Sequence, residues 1–165
     1  MTRRIVIYIA CLIPAIFIVL SILLAPLLIE AGGFISRWGT IVYPTCKGLC
    51  HQAPERSYYW DGVQFAVCHR CTGIYAGALL GLLVYPLTPY FRRGTFPTAI
   101  ILIIFMAPVC IDLALGLSGI WGGHPYVRTA TGGLAGFIGA FYVVPGIEDL
   151  IELLRGKSTP PQPSP

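Results

Sequence analysis

Apolar residues run from Ile5 to Ile29 without a charge, with Pro14 and Pro26 inside the run. A transmembrane helix needs roughly 20 such residues, so this stretch predicts a first span. It exceeds the roughly 7–15 apolar residues of a signal peptide, and no A-x-A site follows, so it reads as a retained span. Three more apolar stretches predict further spans at about residues 72–90, 98–117 and 129–144. Residues 30–71 between spans one and two are more polar and read as a connecting loop. Ile147, Leu150, Ile151 and Leu154 then recur at helical spacing, predicting a short amphipathic segment at the membrane surface. Four prolines among the last six residues predict disorder over 158–165. The expected fold is all-α: one four-span membrane domain over residues 1–157, with a Cys/His-rich hairpin loop between spans one and two.

Composition supports the bilayer as solvent. Charged residues are 11% of the chain, against about 25% in soluble domains, and mean hydropathy is +0.76. The net charge of +4 is spread in runs of no more than two basic residues, which excludes a nucleic-acid interface. Arg3, Arg4, Arg92, Arg93, Arg155 and Lys157 share one side if both termini are cytoplasmic; Arg37, Lys47, Arg56, Arg70 and Arg128 lie on the other. The positive-inside rule then orients the chain as a multi-pass plasma-membrane protein with termini inside and the cysteine loop outside. Trp38, Trp60 and Trp121 all fall on the loop side, as an interfacial belt does.

Gly73, Gly77 and Gly81 form a tandem G-x-x-x-G in span two, and Gly132 and Gly136 form another in span four. Small residues at this spacing let membrane helices approach closely. Spans two and four are therefore expected to pack on each other, with homo-oligomerisation the alternative.

The reactive side chains are concentrated in the loop. Cys11 and Cys110 lie inside apolar runs and read as core residues. In "CHQAPERSYYWDGVQFAVCHRC", residues 50–71, three cysteines and two histidines flank "YYW-DG-VQF". Asp61-Gly62 between aromatic and β-branched residues predicts a hairpin on a type I′ turn. Trp60 then faces Val63, and the same register puts Glu55 opposite Cys68 and Gln52 opposite Cys71, with Pro54 ending the ladder early. The hairpin brings "CHQ" beside "CHRC".

Two ligand clusters joined by a hairpin follow the logic of a zinc ribbon, and Cys3His is a common tetrahedral zinc set. Cys50, Cys68 and Cys71 supply three ligands; His51, Cys46 and, less readily, His69 are candidates for the fourth. A rival reading uses the same atoms. Cys68-x-x-Cys71 directly before a helix, beside Arg70, suits a low-pKa thiolate. Cys46 and Cys50 would be a shuttle pair, as in membrane thiol oxidoreductases that use quinone. Structural disulfides and a non-enzymatic accessory or scaffold role within a larger membrane complex are further alternatives.

Asp112 interrupts span three. An acid inside a span is costly and marks a functional site by default. Arg128 opens span four on the loop side, so the two are expected to form an ion pair or a working site. Asp112, Arg128, Arg56 and Arg70, with His124 nearby, gather beneath the cysteine loop in this topology. The arginines suit an anionic lipid head group or a small anionic substrate, because guanidinium binds oxyanions bidentately.

"CHQAPERS", "VCHRCTGIYAG", the third-span acid and "RTATGGLAG" resemble an uncharacterised family of small prokaryotic membrane proteins, domain of unknown function 2085. The resemblance covers about residues 43–140. It implies that Cys50, His51, Gln52, Arg56, Cys68, Arg70, Cys71, Gly73, Asp112 and Arg128 are the family's positions. Cys46 falls outside that pattern, and "LALG" after Asp112 lacks a glutamine expected there. The expected centre is thus a zinc site of Cys50, His51, Cys68 and Cys71 covering a pocket of Asp112, Arg128, Arg56 and Arg70.

Overall fold

A computed structural model describes residues 2–120 and 122–156. The disorder expected over 158–165 and the interfacial position expected of Trp121 lie outside the described residues. The four apolar runs form four long helices: α1 (Thr2–Glu30), α3 (His69–Val84, extended by a 3-10 turn to Leu87), α5 (Ala99–Leu117) and α6 (Pro125–Leu154). Each is long and apolar enough to cross a membrane. A short helix, α4 (Pro89–Arg93), ends on Gly94, whose φ of 67° closes it in the left-handed conformation.

Two elements depart from the expected layout. Residues 30–71 are not all loop: Gly33–Lys47 forms a 15-residue helix, α2, lying along α1. Gly39 permits the contact, because a Cβ there would sit 2.6 Å from Ile29 Cγ1. Nor does span four stop at residue 144 with a separate surface segment after it. α6 runs unbroken through Pro145 to Leu154, so the amphipathic stretch continues the same helix. Pro145 and Val144 are fully buried there, and packing holds a proline that would disfavour an isolated helix.

α3 and α6 form the central seam. A Cβ on Gly73, Gly77 or Gly81 would lie 2.0, 2.1 or 2.4 Å from the carbonyl oxygen of Thr129, Gly133 or Phe137. From the other side, Gly132 and Gly136 approach the carbonyls of Arg70 and Ile74 just as closely. Both G-x-x-x-G runs are therefore used within one chain. Near the termini the core is Tyr85, Leu82, Phe141 and Val144, with Ile7 of α1 against them. Outward faces carry exposed Ile100, Ile103 and Ile104, as a lipid solvent requires.

The hairpin is β1 (Ser57–Trp60) paired antiparallel with β2 (Val63–Cys68). Asp61 (φ 45°) and Gly62 (φ 86°) make the expected turn. The register starts as predicted, Trp60 facing Val63 and Tyr59 facing Gln64. An irregularity between Ser57 and Tyr59 then shifts the pairing, so Ser57, not Glu55, faces Cys68. Gln52 does not reach Cys71 through the ladder; Pro54 starts a 3-10 turn, Pro54–Arg56, and the pairing ends.

Candidate metal centre and arginine recess

Gln52 shapes the approach to the site. It holds a left-handed conformation (φ 48°), which costs a non-glycine residue free energy. Its Nε2 donates to the carbonyls of Tyr43 (2.8 Å) and Ala66 (2.7 Å), and its own carbonyl accepts from Gln64 Nε2 at 2.7 Å. The Tyr43 hydroxyl donates to the Gln64 carbonyl. These bonds tie α2, the segment after Cys50 and β2 together. The clamping role of Gln52 was missed from residue types alone; only the family resemblance pointed to that position.

The clamp leaves Cys50 beside the start of α3. Cys68 is the N-cap of that helix and Cys71 lies in its first turn, a three-residue spacing that puts both thiols on one face. The sulfurs of Cys50, Cys68 and Cys71 lie within 4.8 Å of one another. The backbone N–H of Cys68 donates to Cys50 Sγ at 3.1 Å. The group packs against Ile22 of α1 and Val67 of β2. A hydrogen bond from the Cys71 thiol, with further donors from Cys50 and the Arg70 backbone, outweighs burial and brings the Cys68 thiol down to about 5. Cys46 packs on the same cluster from α2, but its thiol is raised, by burial and then by Cys50.

Three sulfurs this close suit a metal. Tetrahedral zinc with Zn–S bonds of about 2.3 Å needs sulfurs about 3.8 Å apart, a small adjustment from the spacing present. His51 is exposed and is not in the three-sulfur group. His69 is buried and packs its ring against Tyr58 at 4.3 Å between centroids.

Beside the sulfurs lies a recess of about 160 Å³ lined by His51, Ala53, Arg56, Cys68, Arg70 and Arg128. Each arginine arrives from a different element: Arg56 from the 3-10 turn, Arg70 from the first turn of α3, Arg128 from the first turn of α6. Cys68 belongs to both the sulfur group and the recess. Asp112 is the buried residue of α5 and adjoins the recess through one of its arginines. Its partner is Arg70, through Oδ2 and Nη2, rather than the expected Arg128. Both arginines lie in the first turn of their helices, and Arg70 of α3 is the one that reaches the acid. Arg128 is 7% exposed and donates through Nη2 to the Gly122 carbonyl at 2.9 Å. A Cβ on Gly123 would strike Arg128 Nε at 2.1 Å, so this loop needs its glycine. Arg128 Nε, Arg70 Nε and Asp112 Oδ1 are buried without a hydrogen-bond partner among the described residues. His124 turns its ring toward Tyr126 and does not line the recess.

Comparison with known proteins shows the family. A family model described as a predicted membrane protein, DUF2085, matches residues 50–142, from the first clustered cysteine to the middle of α6. A protein of Methanocaldococcus jannaschii described as uncharacterized is 35% identical over 147 residues, covering 87% of this chain and 94% of its own. Another of Methanothermobacter thermautotrophicus is 36% identical over 88 residues, 53% of this chain and 78% of its own. No solved structure matches the chain.

Proposed function

The chain belongs to the DUF2085 family of predicted membrane proteins, and we propose that Cys50, Cys68 and Cys71 hold a zinc ion that fixes an oxyanion-binding recess. The observation that carries this reading is the shared residue. Cys68 stands in a three-sulfur group and in the wall of a recess with three arginines. When bound, the metal supplies a cross-link between the segment at Cys50 and the first turn of α3, and a Lewis-acid centre. Arg70 lies between two of the ligands, so metal binding aligns its guanidinium. Arg56, Arg70 and Arg128 bind the anion, with Asp112 competing for Arg70. His51 and Cys46 remain the candidates for the fourth ligand. The distribution of Arg and Lys supports a reading in which this end faces out of the cell membrane and both termini face the cytoplasm.

X-ray absorption at the zinc edge tests the centre. We expect three sulfurs at about 2.3 Å. A fourth scatterer that is nitrogen assigns His51, and a fourth sulfur assigns Cys46. A shell of nitrogen and oxygen alone would overturn the site.

The acidity of Cys68 supports a second reading, thiol–disulfide exchange with a quinone as electron acceptor. It requires Cys46 and Cys71 as redox partners, so Cys46→Ser and Cys71→Ser should each abolish turnover. A harmless Cys46→Ser would count heavily against it.

A further inference from the structure

Below the arginine recess, the seam between α3 and α6 opens toward α5 in an apolar trough of about 490 Å³. Gly73, Gly77 and Leu80 of α3 line one wall, Gly133 and Phe137 of α6 the other, and Phe105 of α5 the outer side. Its upper end is one helical turn after Arg70, at Gly73, and one residue after Arg128, at Thr129. On α5, Phe105 and Asp112 are seven residues apart and share a face. The Arg70–Asp112 pair therefore stands at the joint between recess and trough. From Gly73 to Leu80 the trough extends roughly 10 Å along the helix axis.

Depth identifies the kind of ligand. Arg70 and Arg128 sit in the first turns of two spans, and Asp112 lies one to two turns inside the end of a third. That is the level of lipid head groups. Three guanidiniums against Asp112 leave two positive charges. A divalent metal on three thiolates with neutral His51 as the fourth ligand returns one negative charge, so the recess stays positive with that centre formed; a fourth thiolate from Cys46 would cancel it. Arg128 adds a buried Nε–H that has no partner among the described residues. Three guanidinium forks from three directions match the three terminal oxygens of a phosphate monoester better than the two of a diester.

We propose that recess and trough form one site for a lipid phosphate monoester, its head group on Arg56, Arg70 and Arg128 and its chain in the trough. This rests on the oxyanion reading above and adds the ligand class.

The test is calorimetric titration of the metal-loaded full chain in detergent with inorganic phosphate, dioctanoyl phosphatidate and dioctanoyl phosphatidylglycerol. The expected result is phosphatidate at least about tenfold tighter than the other two. Arg56→Gln, an exposed position, should weaken the phosphate and phosphatidate complexes by about tenfold or more. Ala130→Phe, an exposed position in the trough wall, should weaken phosphatidate alone. Equal binding of phosphate and phosphatidate, with Ala130→Phe silent, would overturn the lipid assignment and leave the oxyanion recess standing. Phosphatidylglycerol binding as tightly as phosphatidate would overturn the preference for a monoester. No binding of any probe by protein with its metal content intact would overturn the recess reading, and this proposal with it.

Discussion

The two ends of the helical bundle both hold arginines, but they surround them differently. At the end carrying the termini, Arg3 meets Glu152 at 3.0 Å and Arg4 meets Glu148 at 2.9 Å. Arg3 also donates to the Glu148 carbonyl, and Arg4 to those of Phe91 and Arg92. These arginines are ties, joining α1 to α4 and to the last turns of α6. At the hairpin end, three arginines surround a recess with one buried acid, and two of them keep an Nε–H without a partner among the described residues. Arg3 Nε also lacks a partner among the described residues, so the contrast rests on the carboxylates: two acids meet two arginines at the terminal end, and one acid meets three at the hairpin end. The comparison teaches that the balance between cation and partner, rather than the number of cations, separates a structural tie from a binding site.

The largest effect that would break this contrast lies in the sulfurs. Cys50→Ser, Cys68→Ser and Cys71→Ser should each reduce metal content toward zero and destabilise the hairpin end by several kcal/mol, read by elemental analysis and thermal unfolding. Metal retained in two of the three would sink the centre.

Next comes the seam that carries both ends. Gly77→Ala would put a methyl 2.1 Å from the Gly133 carbonyl oxygen and force α3 from α6. A loss of about 1–3 kcal/mol or more is expected. Gly139→Ala meets nothing within 4 Å and should be neutral or slightly stabilising. Equal effects on unfolding in detergent would contradict the packing.

The ion pairs sharpen the comparison directly. Asp112→Asn removes the partner of a partly buried Arg70 and should cost about 1–3 kcal/mol. Glu152→Gln, in a pair whose side chains are 39% and 34% exposed, should cost less than about 1 kcal/mol and matter less still in high salt. Because Asp112→Asn also frees Arg70, it should tighten phosphate binding while weakening the fold. A parallel loss of both would show that Asp112 orients Arg70 more than it competes for it.

The smallest effect is a pH dependence. Cys68 ionises at about 5, below its ordinary value, so its thiolate is present at neutral pH. Metal binding is therefore favoured above that point and should weaken as the pH falls through about 5 and the sulfur takes up its proton. In chelated protein, alkylation of Cys68 at pH 7 should outpace that of Cys46, whose thiol is raised.

Much of this was legible in the sequence, and the misses have physical causes. The four long helices followed from uninterrupted apolar runs. The hairpin followed from Asp61-Gly62, and the union of Cys50 with Cys68 and Cys71 followed from the hairpin. Helix α2 was missed because Gly39 and Pro44 break its pattern, although Trp38, Ile41, Val42 and Thr45 recur at helical spacing and form a wall toward α1. The irregularity near Tyr58 left no compositional sign, so a register correct at the turn was wrong at Cys68. The partner of Asp112 depended on which of two arginines, each in the first turn of its helix, could reach it, which spacing does not decide. The grouping of Arg56, Arg70 and Arg128 was readable from topology because each stands at the loop-side end of its element.

The most direct measurement of the central claim is elemental analysis of anaerobically purified full-length protein, with a free-thiol count on the same sample after denaturation and chelation. The account predicts about one zinc per chain and thiols that are reduced. Protein without metal, in which two or four thiols appear only after a reductant is added, would contradict it.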